Sequence, residues 1–218
     1  MLNNLLIIDA TPKKDGIAYS FVQIAKETAD SLGLDAKVVK LKEVGLRKCD
    51  MCGDGWGICF YEHRCVFGDK DGFDDLQKLV AEADAYVYVT PVYWSEISEE
   101  LQLFWDKLRR CETSKLWNGK DDVNSSHKNK PSILVASAGG GGRGISSTFV
   151  NMERAVDQLG ERSDFKDGTA GIFDYIAVNR WNQTYKRDTL KAAIVEMTAI
   201  NRDGKPVAPM NHSIEPNG

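Results

Sequence analysis

Three histidines, six prolines and a near balance of 28 basic against 32 acidic side chains leave this 218-residue sequence short of several kinds of chemistry. The histidines, at 63, 127 and 212, form no H-E-x-x-H pair, which excludes a helical zinc-hydrolase site. No G-x-S-x-G run occurs, so the nucleophile elbow of a serine hydrolase is absent too. A net charge of −4 with no dominant basic stripe argues against nucleic acid as a partner. Apolar runs are short, as in Leu5–Ile8 and Ala85–Val89, whereas a membrane span needs about 20 apolar residues. The start from Met1 to Asp9 has no positively charged leader region. A cytoplasmic protein with no membrane span is expected, with its thiols kept reduced.

What the sequence does hold is an alternation of apolar runs and helical stripes. Leu5–Ile8, Ala36–Leu41, Ala85–Val89, Ser132–Ala136 and Phe173–Val178 read as strands. Between and after them, apolar residues recur at helical spacing, at 21–32, 73–80, 101–108, 149–159 and 190–200. Ser98 is a plausible N-cap for the third of these helices. Five strands alternating with helices predict an α/β, flavodoxin-like three-layer sandwich. Its parallel sheet would have five strands in the order 2-1-3-4-5, with helices on both faces. One domain over residues 1–202 is expected, with a polar, exposed excursion at 111–130 and an irregular tail at 203–218.

In such a sheet, ligands bind beyond the carboxyl ends of the strands, where strand order reverses. Three segments meet there. The first runs from Ala10 through Thr11, Lys13 and Gly16 into a helix start, whose free N–H groups suit a phosphate. The second is Pro91-Val92-Tyr93-Trp94-Ser95, whose aromatics either wall a planar ring or simply pack. The third is the glycine run with Gly139, Gly140, Gly141 and Arg143, a backbone able to approach a flat ligand closely. It matches G-x-G-x-x-G only formally, because a dinucleotide fingerprint belongs in the first strand-to-helix turn. A receiver domain is excluded, since the third strand ends in Val89-Thr90-Pro91 and offers no acid.

These segments resemble those of the NAD(P)H-dependent FMN reductases and iron–sulfur flavoproteins of flavodoxin-like fold. Thr90-Pro91-Val92-Tyr93-Trp94-Ser95-Glu96-Ile97-Ser98, followed by Phe104, Asp106 and Arg109, is similar to that family's T-P-V-Y…S-x-x-L-K…F-x-D-R segment. Asp9 to Gly16 stands where the family has a G-S-P-R-x-x-G-N-[ST] phosphate loop. Ile17-Ala18 replaces its Asn-Thr/Ser pair, and Lys13 replaces Arg, which trades a bidentate fork for a point charge. The resemblance implies FMN as cofactor and NAD(P)H as co-substrate. It also implies a quinone, flavin or similar small electron acceptor, or a redox protein as partner. A homodimer or homotetramer is expected. The alternative is an electron carrier without its own substrate turnover. Thr11, Lys13 and Gly16 would hold the FMN phosphate, with Pro91–Ser95 and Gly139–Arg143 around the ring. Trp181 would either reach the ring or sit in the core.

The cysteines are spaced Cys49-x2-Cys52-x6-Cys59-x5-Cys65, with Cys111 apart. The family's cysteine segment places its third thiol closer to the second. Three outcomes stay open: a [4Fe–4S] cluster on Cys49, Cys52, Cys59 and Cys65, a zinc on the same four, or a flavin-covering loop of unliganded thiols.

Overall fold

A computed structural model of the chain describes residues 2–117, 125–128, 130–161 and 171–202. Strands β1 (Asn4–Asp9), β2 (Asp35–Lys40), β3 (Ala85–Pro91), β4 (Ser132–Ser137) and β5 (Ile172–Val178) form one parallel sheet in the order β2-β1-β3-β4-β5. The flavodoxin-like order expected from the apolar runs is therefore the observed one. Strands β1, β3 and β4 are covered on both faces, which explains their nearly unbroken apolar sequence.

Alternate residues feed two cores. Leu5, Ile7, Val87, Val89 and Val135 point to one face, against α1 (Ile17–Ser31) and α7 (Gln183–Arg202). Leu6, Ile8, Tyr86, Tyr88 and Leu134 point to the other, against α4 (Phe73–Glu82), α5 (Glu99–Trp117) and α6 (Ile145–Val156). Two single-turn helices, α2 (Leu41–Val44) and α3 (Ile58–Tyr61), lie in the long connection between β2 and α4. Helix α6 continues into a π-turn at Asp157–Glu161.

Two polar clusters inside the second layer hold α5 in place. Lys107, nearly fully buried, pairs with the Asp71 carboxylate, which also accepts the backbone N–H of Arg47 at 2.9 Å. This pair ties the connection before α4 to the middle of α5. Farther along, Glu112 is fully buried and accepts from Lys115 Nζ at 2.8 Å and the backbone N–H of Ser126 at 2.6 Å. His127 is also fully buried; its Nε2 lies 3.0 Å from the Tyr88 hydroxyl and its ring stacks on Tyr86.

These contacts correct the expected excursion. Residues 111–117 are the last turns of α5, and Ser125 and His127 are buried rather than exposed. Residues 118–124 and 129, and the expected tail at 203–218, lie outside the described residues. Strand β2 is shifted one residue toward the N-terminus, running from Asp35 to Lys40, because Leu41 opens α2.

Candidate active site

The carboxyl ends of β1, β3, β4 and β5 carry four loops, stitched pairwise by backbone hydrogen bonds. Ala10 N–H donates to Val89, Val92 N–H to Ser137 and Ala138 N–H to Val178, at 3.0, 2.8 and 2.9 Å. Such ties give the edge a fixed shape, as a preorganised ligand site needs.

The first loop runs from Ala10 into α1. Thr11 is buried; its N–H donates to Asp9 Oδ1 at 2.8 Å and its hydroxyl to the Lys13 carbonyl at 3.0 Å. Asp9 is in turn held by Lys40 at 3.5 Å across the β1–β2 pair. Gly16 is the N-cap residue of α1, with no side-chain cap and no carboxylate in the first turn. The N–H groups of that turn thus keep the unsatisfied donors and positive dipole end that suit an anion. A Cβ built on Gly16 meets nothing within 4 Å, so there is open space in front of these donors. Lys13 is exposed beside them.

The second loop is a lasso closed at its base. Thr90 Oγ1 accepts the Ser98 N–H at 3.0 Å, and Ser98 Oγ caps α5 by accepting the Leu101 N–H at 3.4 Å. At its tip Tyr93 and Glu96 exchange two backbone hydrogen bonds, both 2.9 Å, around Trp94 and Ser95. Both central residues are left-handed, with φ of 51° and 69°. That is a type I′ turn, which Asn-Gly adopts readily and Trp-Ser does not. Each left-handed non-glycine residue costs about 1–3 kcal/mol, and such strain gathers at ligand sites. Trp94 is 99% exposed, covered by nothing among the described residues, and Tyr93 is half exposed. Burial, then the Glu100 carboxylate, pushes the Tyr93 hydroxyl pKa upward, so the phenol stays protonated.

The third loop is the glycine run. Cβ atoms on Gly139, Gly140 and Gly141 would meet nothing within 4 Å, so this backbone borders open space. Gly144 does the opposite. At φ +83°, a Cβ there would lie 2.6 Å from Ser95 Cα, so only glycine lets the second and third loops touch. Arg143 is exposed. From the fourth loop, Arg180 N–H donates to the Gly140 carbonyl at 3.4 Å. Trp181 beside it is 78% exposed, which places it outside the core.

Pro91–Ser95 and Gly139–Arg143 are therefore neighbours on one edge, and Thr11, Lys13 and Gly16 sit on the adjoining loop. An uncapped helix start, exposed aromatics and a glycine backbone beside open space match the needs of a phosphate-bearing, flat ligand.

The cysteines are elsewhere. Cys49 is exposed, Cys52, Cys59 and Cys65 are half-buried, and Cys111 is buried; all are free thiols. The Cys59 carbonyl accepts from Ser114 on α5, and the His63 ring meets the same hydroxyl at 2.8 Å. Cys111 follows Glu99 by twelve positions, about 18 Å along a helix rising 1.5 Å per residue. The segment thus covers the far half of α5 rather than the ligand edge. Burial, reinforced by Cys52, Cys49 and Cys65, raises the Cys59 thiol pKa, and burial raises that of Cys111 as well. Among the described residues no group of three or more His, Cys, Asp or Glu is placed to hold a metal. As folded here, the four thiols do not fit a cluster or a zinc ion.

The doubly wound sheet in the order β2-β1-β3-β4-β5 defines a flavodoxin-like class of fold. Within that class, residues 3–156 match the model of NADPH-dependent FMN reductases, and the chain belongs to that family. An iron–sulfur flavoprotein from Archaeoglobus fulgidus is 26% identical over 98 residues, which are 45% of this chain and 42% of that protein. The chain thus matches less than half the length of that curated relative. Solved structures share the fold. The apo form of an NADH:FMN oxidoreductase has a TM-score of 0.59 at 12% identity, covering 95% of this chain and 92% of its own. An FMN-dependent NADH-azoreductase from Bacillus anthracis, in complex with FMN, has 0.59 at 11%, covering 93% and 100%. No helix among the described residues is long and apolar enough to cross a membrane.

Proposed function

We propose that this chain is a cytoplasmic FMN-dependent NAD(P)H oxidoreductase that delivers electrons to a quinone, a flavin or a similar acceptor. Family membership supports the cofactor and the reaction class. The observation that carries the reading onto this chain's residues is the uncapped start of α1, open in front of Gly16 and flanked by the strained, exposed Tyr93–Ser95 turn. When bound, FMN supplies the hydride and electron chemistry, so no acid–base pair or nucleophile is required of the protein.

The protein's part is positioning. The Gly16 turn and Lys13 neutralise and orient the phosphate, while the buried Thr11 keeps the loop closed. Pro91, Val92 and Ser95 present the lasso's backbone to the ring, and Tyr93 and Trp94 supply aromatic surface. Gly139, Gly140 and Gly141 leave room on the adjoining side, and exposed Arg143 adds a cation for an anionic co-substrate. Trp94 and Trp181, fully or largely exposed on this edge, support a second copy of the chain as their cover in a homodimer or homotetramer.

Protein purified without oxygen is expected to show flavin absorption on reconstitution with FMN, bleaching on addition of NADPH or NADH, and iron well below one per chain. Failure to bind FMN overturns the reading. Bound FMN that neither nucleotide bleaches favours the electron-carrier alternative. Four irons per chain would mean that the 49–65 segment refolds around a cluster.

A further inference from the structure

We infer that Arg187, on α7, is a phosphate-binding residue for FMN; this rests on the reading above. Helices α1 and α7 pack side by side on one face of the sheet, and both begin at its carboxyl edge. Arg187 lies in the second turn of α7, and helical side chains lean back toward their own N-terminus, here toward the ligand edge. Its Nη2 donates to Ser20 Oγ at 3.3 Å, and Ser20 Oγ in turn donates to the Ile17 carbonyl at 2.7 Å. The guanidinium therefore stands against the first turn of α1.

That position is electrostatically poor without an anion. A helix start carries about half a positive charge, so a cation beside it is repelled. Arg187 has no carboxylate partner among the described residues, and its Nε is buried with no hydrogen-bond acceptor. Lys40, the other half-buried cation near this loop, is opposed by Asp9 at 3.5 Å. The Lys40 Nζ also lacks a hydrogen-bond acceptor but faces the Asp9 charge, whereas Arg187 faces no carboxylate among the described residues. Ile17 and Ala18 supply no polar side chains, and the Ser20 hydroxyl is already donated to the Ile17 carbonyl, so the start of α1 meets an anion chiefly with backbone N–H groups. A phosphate in front of Gly16 would accept from the guanidinium fork and balance both positive features.

The test compares FMN with riboflavin, which lacks the phosphate, by fluorescence titration of wild type, Arg187→Gln and Arg187→Lys. Arg187→Gln is expected to weaken FMN about tenfold or more while leaving riboflavin unchanged. Arg187→Lys should fall between, since a point charge replaces a fork. Two results overturn the inference: Arg187→Gln binding FMN as tightly as wild type, or losing FMN and riboflavin equally. If Arg187→Gln does not fold, the same two criteria apply to Arg187→Lys. Wild-type protein that fails to bind FMN overturns instead the reading beneath it.

Discussion

His127 shows how one buried residue ties stability to pH. Burial drives its pKa down from 6.5 to about 3, outweighing the attraction of Glu112, while Lys130 and Lys115 push the same way as burial. The folded protein thus holds a neutral imidazole through a range in which the unfolded chain binds a proton. Stability from this group is complete above pH 6.5 and is lost as pH falls from there toward 3. The loss is about 1.4 kcal/mol per pH unit. Glu112 acts in the same direction at lower pH. Burial raises its pKa, but Lys115 and the Ser126 N–H more than offset this and hold it below 4.5, so protonation weakens the fold there. Urea midpoints between pH 7 and 5 are expected to fall in wild type and to stay flatter in His127→Gln. Equal slopes would show that another group carries the effect. Sequence patterning could not foresee this cluster. Polar residues at the end of α5 and at 125–127 look like a solvated loop, and hydrogen bonds from Ser125 and Ser126 to Glu112, and between His127 and the distant Tyr88, make them interior.

Among the elements, the β3–α5 lasso is where local preference and fold disagree. Its base was legible: Thr90-Pro91 ends a strand, and Ser98 caps a helix. Its tip was not, because Trp and Ser avoid the left-handed conformation that both adopt here. Strain held by two stitched loops, with a tryptophan left in solvent, has the mark of a conformation kept for a ligand. Replacing Trp94 and Ser95 by Asn and Gly suits the turn, and should stabilise the apo protein by about 1–2 kcal/mol, a rise of a few degrees in Tm. The same double variant should bind FMN more weakly and turn over more slowly, since the aromatic surface is gone. Unchanged affinity and rate would show that Trp94 takes no part. Arg187 was beyond sequence reasoning for another reason. It meets Ser20 across 167 positions, and no periodicity links a second-turn arginine of α7 to the first turn of α1.

Across the whole molecule, strand order and the ligand edge follow from alternating apolar runs, because each central strand needs cover on both faces. What those runs could not reveal is which way the connection after β2 folds. Four of the cysteines lie between β2 and α4, and a loop there can either cover the carboxyl edge or lie along α5. The Lys107–Asp71 pair and the Ser114 contact with Cys59 choose the second. Cys59 and Cys65 therefore pack beside α5 toward the opposite edge of the sheet, about 18 Å of helix from the site. Sites that far apart and without shared partners contribute independently. Replacing Cys49, Cys52, Cys59 and Cys65 together by Ser should lower the melting temperature, since Cys59 and Cys65 pack against the second core. The FMN dissociation constant should nonetheless stay within about twofold of wild type. A weakening of tenfold or more in a variant that still melts cooperatively would mean that this segment reaches the flavin, in this copy of the chain or in its neighbour.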